Sequence, residues 1–192
     1  MQLFSFVVLL VGTGCVVVSI ATEYWEVKNI GGDAVGAGYH RGLFRECYRG
    51  NVASLVKVQE CYYRFSVDVE DGRVDVTRKN MKAWEVAVLA LMVGSGVLSI
   101  LCLLFSPCCC NKCGFCLTFW VLVATLLTAA GVGVYAWKYT SGDSSGIDLE
   151  AIINQTFGWS FWVAVAGGAC QLFATFGFGL SRARQHSYSH TI

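Results

Sequence analysis

Charged side chains are scarce in this chain of 192 residues, where 14 lysines and arginines and 13 aspartates and glutamates make up 14% of the sequence. Soluble domains carry roughly 25% charged residues. The net charge of +1 offers no basic field for phosphates, so nucleic-acid binding is excluded as a function. The 55% apolar content excludes a disordered chain. Proline is also scarce, since Pro107 is the only one, and this favours uninterrupted helices over a loop-rich β domain.

Catalytic motifs are also missing from the sequence. The three histidines, His40, His186 and His190, do not adjoin a nucleophile or a set of metal ligands. There is no Gly-x-Ser-x-Gly, no His-Glu-x-x-His and no phosphate-cradling glycine loop. The sequence therefore predicts a non-enzymatic protein that needs no cofactor.

Most of the charge lies between residues 23 and 85, and four long apolar runs occupy much of the remaining chain. A helix needs about 20 apolar residues to cross a hydrocarbon core, and each run meets this length. None of the runs alternates as a barrel strand would. The prediction is one domain over residues 1–192, with transmembrane helices at residues 3–22, 84–105, 114–137 and 157–180. Residues 23–83 and 138–156 form two polar loops, residues 106–113 a short turn, and residues 181–192 a tail.

The first apolar run has a second interpretation as a cleaved signal peptide, because Ser19-Ile20-Ala21 resembles a cleavage site. No lysine or arginine precedes the run, and it is longer than a signal core. We therefore interpret it as a transmembrane helix.

Orientation follows from the short loops, where basic residues favour the cytoplasmic side. The turn and the tail carry Lys112, Arg182 and Arg184, whereas residues 138–150 carry more acidic than basic residues. This places both termini in the cytoplasm and residues 23–83 outside the cell, in a multi-pass protein of the plasma membrane. Aromatic residues near the outer helix ends fit an interfacial belt: Tyr24, Trp25, Trp84, Tyr135, Trp137, Trp159 and Trp162.

Only two of the ten cysteines, Cys47 and Cys61, lie in the segments placed outside the cell. An oxidising compartment favours a disulfide between them over two free thiols. Closing this loop would stabilise the fold by roughly 3 kcal/mol in the chain-entropy model.

The segment after Cys61 alternates between apolar and polar residues as a half-buried strand does. In this interpretation Arg64 and Asp68 belong to the solvated face. Asp71-Gly72 is a hairpin signal that would set Val69 opposite Val74 and Asp68 opposite Asp75. Residues 54–58 predict a further strand before Cys61.

The predicted cytoplasmic turn is rich in cysteine, with Cys108, Cys109, Cys110 and Cys113 followed by Cys116. The spacing of the last three would suit zinc or an iron–sulfur cluster. The turn adjoins the bilayer and has no histidine, so palmitoylation of Cys108, Cys109, Cys110 and Cys113 is the preferred interpretation, ahead of reduced thiols and metal.

Two further signals lie in the outer loop and the tail. Asn154-Gln155-Thr156 is an N-glycosylation sequon close to the membrane. The chain ends in Ile192, and capture of such an end by a scaffold domain is a known mode of recognition. His190 suits that mode poorly, so a disordered polar tail is preferred.

Small and polar residues within the runs predict how the helices pack. Glycines occur in pairs that would allow close approach of helices, within the bundle in preference to between copies: Gly12 and Gly14, Gly94 and Gly96, Gly131 and Gly133, Gly167 and Gly168, Gly177 and Gly179. Gln171 is the strongly polar side chain deep in a run and is predicted to bond a neighbouring helix. No charged residue or histidine lies in residues 3–22, 86–105, 114–137 or 157–180, which disfavours an ion-coupled transporter.

Trp25, Gly42-Leu43-Phe44, Cys47 and Cys61 together resemble the first-loop signature of the claudin superfamily. This superfamily contains claudins, peripheral myelin protein, epithelial membrane proteins, the lens fibre intrinsic protein and calcium-channel γ subunits. Phe44 replaces the usual tryptophan, and the cysteines stand further apart than in claudins. The resemblance implies a left-handed four-helix bundle whose extracellular antiparallel sheet takes one strand from the second loop. Trp25 and Gly42-Leu43-Phe44 would anchor that sheet at the membrane surface.

Two functions fit this resemblance. In the first, the protein belongs to cell–cell contacts, as an adhesion or paracellular barrier protein that assembles with itself in one membrane and across the gap. In the second, it is an auxiliary subunit of a larger ion channel or receptor. We prefer the first. In both cases the partners are membrane lipid and protein, and not nucleic acid.

Overall fold

The computed structural model describes residues 2–30, 37–52, 56–70, 73–78, 81–106, 114–141 and 155–189. The four helices are α1 (Gln2–Ala21), α2 (Ala83–Phe105), α3 (Gly114–Thr140) and α4 (Trp159–Ser189). The strands are β1 (Glu26–Ile30), β2 (Ala37–Arg41), β3 (Arg45–Val52), β4 (Val56–Tyr63), β5 (Phe65–Glu70), β6 (Arg73–Arg78) and β7 (Gln155–Phe157).

All four helices contain a span long and apolar enough to cross a membrane. The predicted class, a membrane bundle of four helices with a small antiparallel sheet, is confirmed. Two helices continue beyond the predicted transmembrane spans. α3 continues past residue 137 to Thr140, and α4 continues past residue 180 to Ser189, through most of the predicted polar tail. No glycine or proline interrupts residues 181–189, so nothing in the sequence stops the helix where the apolar run ends.

Within the bundle, α1 packs mainly on α4, and α2 packs mainly on α3. The α1–α4 contact is close because of glycine. A Cβ atom on Gly12 would lie 2.9 Å from Cβ of Cys170, and one on Gly167 would lie 2.9 Å from a methyl group of Val16. With no hydrophobic effect between helices in lipid, such backbone approach is the main source of their attraction.

Gln171 is fully buried and connects three helices, which agrees with its predicted structural role. Its Nε2 donates to Oγ of Ser99 on α2 at 2.9 Å, and its Oε1 accepts from Oγ1 of Thr128 on α3 at 2.9 Å. Oγ of Ser95 lies 2.6 Å from Oγ1 of Thr128 and 2.9 Å from the carbonyl oxygen of Ala124. These bonds satisfy the polar groups of the bundle centre without charge.

The sheet stands at one end of the bundle, which we call the sheet end. Its strand order is β4-β3-β2-β1-β7, with antiparallel neighbours throughout. β7 precedes α4 and pairs with β1, where Glu26 lies opposite Phe157. The sheet therefore takes one strand from the second loop, as the family resemblance implies.

β5 and β6 form a separate two-stranded hairpin in the predicted register, with Val69 opposite Val74 and Asp68 opposite Asp75. The turn Asp71-Gly72 lies outside the described residues. The predicted continuous strand after Cys61 is wrong, because β4 ends at Tyr63 and β5 begins at Phe65. Arg64 between them is 4% exposed, although the alternating pattern placed it on the solvated face.

Candidate functional site

The interface between the sheet and the bundle is built around Trp25. This side chain is fully buried, and its Nε1 donates to the carbonyl oxygen of Ser19 at 2.7 Å. Its ring meets Tyr135 of α3 and Phe161 of α4, with centroid distances of 4.9 and 6.0 Å. Trp25 and Tyr135 are therefore core residues, and their predicted place in an interfacial belt is wrong. Because Trp25 directly precedes β1, the same packing that buries the indole also fixes where the sheet starts.

Other aromatic residues do lie where the predicted interfacial belt would be. Trp137, Trp159 and Trp162 are exposed near the sheet end of α3 and α4. Their amphipathic rings suit the headgroup region of a bilayer.

Two glycines let the backbone of the sheet touch the bundle. A Cβ atom on Gly42 would lie 2.6 Å from Cα of Glu23, and one on Gly158 would overlap the carbonyl oxygen of Tyr24. The backbone N–H of Gly158 donates to the carbonyl oxygen of Trp25 at 3.0 Å. Leu43, which follows Gly42, is buried in the same apolar cluster as Trp25, and Phe44 packs against that cluster.

Glu85, in the first turn of α2, ties the sheet to the helix by charge. Its Oε1 accepts from Nη2 of Arg41 at 2.7 Å, and its Oε2 accepts from Nη2 of Arg64. Oε2 also accepts from the backbone N–H of Lys82 at 3.2 Å, which caps the start of α2. Nε of Arg64 lies 3.9 Å from Oε2 of Glu46 on β3. Two arginines from the sheet segment thus share one buried carboxylate on the helix.

The environment of Arg41 stabilises the charge of its guanidinium. Burial opposes the charge of the guanidinium, but the neighbouring Tyr39, Glu85, Glu26 and Glu46 outweigh it and raise the pKa of Arg41 above its ordinary value. A buried ion pair needs such compensation, because desolvation alone can exceed the attraction of one pair.

The structure joins Cys47 and Cys61 by a disulfide, at positions directly opposite each other in β3 and β4. Oε2 of Glu23 lies 3.2 Å from Sγ of Cys47. These three side chains are close enough to hold a metal ion. Sulfur atoms bonded to each other present no thiolate, so this cluster is not a metal site in the oxidised protein.

One face of the sheet carries tyrosines and carboxylates. The hydroxyl group of Tyr39 donates to Oε1 of Glu46, and that of Tyr48 donates to the same oxygen at 2.9 Å. The hydroxyl group of Tyr62 donates to Oε2 of Glu60 at 2.6 Å. Burial, followed by this bond to Glu46, raises the pKa of Tyr48, and burial raises the pKa of Tyr39 further.

Strands β3 and β4 carry exposed aromatic side chains. Tyr48, Tyr62 and Tyr63 are 47%, 56% and 62% exposed, and the guanidinium of Arg45 lies 4.3 Å from the ring centroid of Tyr63. Among the described strands, β4 pairs only with β3, so it forms an edge of the sheet. An edge strand with exposed aromatic residues can pair with another protein chain.

A model of the family described as Clc-like matches residues 1–181. The chain belongs to the Clc-like family. This is a family of claudin-like proteins, which agrees with the superfamily inferred from Trp25, Gly42-Leu43-Phe44, Cys47 and Cys61. No curated protein is significantly similar to the chain in sequence. The Clc-like chain is therefore a claudin-like, multi-pass membrane protein.

Several predicted modification sites of the Clc-like chain lie outside the described residues. These are the cysteines of the turn and the sequon: Cys108, Cys109, Cys110, Cys113 and Asn154. They stay predictions, as does the recognition of Ile192 by a scaffold domain.

The ion cluster of Glu85, Arg41 and Arg64 was not predicted from the sequence. One signal could have found Glu85, because it is an isolated acidic residue at the start of an otherwise uncharged helix. Its partners are 44 and 21 residues away in sequence. Only the path of the chain through the sheet brings these three residues together.

Proposed function

We propose that the protein is a non-enzymatic component of cell–cell contacts, and that it acts through the sheet and through self-assembly. The observation that supports this is the exposed edge strand β4 on a sheet fixed to the bundle at Trp25 and Glu85. A binding surface fixed in this way loses little conformational entropy when it pairs with a second copy.

In the proposed orientation, the sheet end lies outside the cell and both termini lie in the cytoplasm. The oxidising compartment outside the cell fits the disulfide of the sheet. The basic residues Arg182 and Arg184 lie at the opposite end of the bundle, on α4. An epitope after residue 189 that is detected only in permeabilised cells would support this orientation, and detection in intact cells would contradict it.

Self-association through β4 predicts which residues of two copies approach each other. Glu60 lies on β4 and is exposed, and its partner in register on β3 is Tyr48, which is also exposed. If two copies pair along β4, Glu60 lies at the contact. Tyr48 lies one strand further away in each copy, so two Tyr48 positions are about 10 Å further apart.

The full chain is therefore tested alone in cell membranes with the variants Glu60→Cys and Tyr48→Cys under mild oxidation. We expect a disulfide-linked dimer for Glu60→Cys and little or none for Tyr48→Cys. Equal yields for both variants, or none for Glu60→Cys, would contradict pairing along β4.

The auxiliary-subunit function predicts a different result. Purification from native tissue in mild detergent, followed by mass spectrometry, would then find a large channel or receptor in fixed stoichiometry. For a contact protein we expect the chain itself to be the main component.

A further inference from the structure

The two sulfur atoms of the disulfide lie in different surroundings. Cys47, on β3, is fully buried, whereas Cys61, directly opposite it on β4, is exposed. A thiolate opens a disulfide by attacking one sulfur atom, and the other sulfur atom leaves as a thiolate. The rate depends on access to the sulfur atom that is attacked. Solvent reaches the Cys61 end of the bridge, so Cys47 carries the sulfur atom that leaves.

A carboxylate stands beside the buried sulfur atom. Glu23, between α1 and β1, is half-buried, and its Oε2 lies 3.2 Å from Sγ of Cys47. The backbone of Glu23 packs directly on Gly42, where an added Cβ atom would lie 2.6 Å from Cα of Glu23. A negative charge this close disfavours a second one, and burial disfavours it further. Because a sulfur atom leaves more slowly when its thiolate is less stable, these surroundings make Cys47 a poor leaving group.

The exposed sulfur atom has a positive charge nearby. Tyr63 follows Cys61 by two residues, so both side chains lie on the same face of β4. Arg45 is opposite Tyr63 in register, and its guanidinium lies 4.3 Å from the centroid of that ring. An anionic thiol that approaches Cys61 therefore meets a cation. Glu60, the neighbour of Cys61 in sequence, lies on the other face of β4, where its carboxylate accepts from Tyr62.

We propose that small anionic thiols exchange with the disulfide at Cys61 alone, and that Glu23 slows this exchange through Cys47. The external thiolate attacks Sγ of Cys61 and forms a mixed disulfide with it. The bond between Cys61 and Cys47 breaks, and its electron pair stays on Sγ of Cys47, which takes a proton from water. The sulfur atom of the external thiol is oxidised, and that of Cys47 is reduced. The proposal rests on the disulfide, and not on the proposed role in contacts.

The site of exchange is tested on the purified full chain in lipid nanodiscs. Accessible free thiols are first blocked with iodoacetamide, and glutathione is then added at about pH 8, where thiols are partly ionised. Early samples are denatured in excess N-ethylmaleimide and cleaved with trypsin, which separates the two cysteines because Arg49 and Lys57 lie between them. We expect the glutathione adduct on the Cys61 peptide and the maleimide label on Cys47. Adducts on both peptides in similar amounts would overturn the proposal.

The role of Glu23 is tested by the rate of adduct formation in Glu23→Gln. Removing the like charge beside the leaving sulfur atom should raise this rate about three- to tenfold. The matched control Glu60→Gln changes the net charge equally but on the other face of β4, so its rate should stay within about twofold of wild type. An unchanged rate for Glu23→Gln, or an equal rise for Glu60→Gln, would overturn the proposal. So would a faster rate with adducts on both cysteines, because a loosened sheet exposes both sulfur atoms.

Discussion

Glu85 holds the sheet and α2 together through two arginines that come from different parts of the sheet segment. Its carboxylate is nearly fully buried, as is the side chain of Arg64. Removing one partner from a buried ion pair leaves a charge without compensation, and this costs far more than the pair contributes when intact. Glu85 therefore matters for docking even though it lies outside the first-loop signature.

We expect Glu85→Gln to lower the free energy of unfolding by about 3–5 kcal/mol, because Arg41 and Arg64 lose their shared charge partner. The measurement is thermal unfolding of the full chain in lipid nanodiscs. Glu60→Gln is the matched control, since Glu60 is exposed and such a change stays within about 0.5 kcal/mol. Equal stability of Glu85→Gln and wild type would contradict the role of Glu85.

The raised pKa of Tyr39 predicts how the stability of the sheet changes at alkaline pH. Burial, and after it the bond donated to Glu46, raise the pKa of its hydroxyl above the ordinary value of about 10. The contribution of Tyr39 to the stability of the folded state is fully present below pH 10, because the hydroxyl is neutral there in both the folded and the unfolded chain. It decreases as pH rises above 10, because only the unfolded chain ionises. As pH rises through 10, the midpoint temperature of unfolding should fall less for Tyr39→Phe than for wild type. An equal fall in both proteins would contradict this.

In three of the glycine pairs in the helices, one glycine packs against a neighbouring helix and the other faces open space. Gly12 packs on α4, Gly131 on Met92 and Gly177 on Ser5. Their neighbours Gly14, Gly133 and Gly179 would have no heavy atom within 4 Å of an added Cβ atom. The first members therefore serve packing within the bundle, which was the preferred interpretation. The sequence could not assign the members, because that requires knowing which helix faces which.

This division predicts opposite results for two substitutions in α1. Gly12→Ala should lower the free energy of unfolding by about 1–3 kcal/mol, because the new methyl group overpacks the α1–α4 interface. Gly14→Ala should change it little or raise it slightly, since alanine favours helix and the space is open. Thermal unfolding in nanodiscs measures both, and an equal loss for both variants would contradict the packing.

The strands show what a sequence pattern can and cannot reveal. The register of β5 and β6 was predictable, because a two-residue turn such as Asp71-Gly72 fixes the pairing on both sides. The break at Arg64 was not, because the apolar residues continue to alternate through it. The backbone N–H of Arg64 instead bonds to the carbonyl oxygen of Phe44 at 3.0 Å, and this directs its side chain to Glu85.

At the scale of the whole molecule, the four helices were predictable because the length and polarity of a membrane span are local properties of the sequence. The docking of the sheet was only partly predictable. The family resemblance pointed to Trp25 and to Gly42-Leu43-Phe44, but it did not reveal that Trp25 is buried between α3 and α4. Burial depends on residues more than 100 positions away, namely Tyr135 and Phe161.

A docked sheet with an open edge makes the molecule a rigid unit that can present the same surface to a second copy. We therefore expect it to accumulate where two cells that both express it touch. The direct measurement is the fluorescence of the tagged full chain, expressed in cells that lack their own contact proteins and mixed with cells that do not express it. The predicted result is enrichment at borders between two expressing cells and not at mixed borders. Uniform fluorescence over the cell surface would contradict the proposed function.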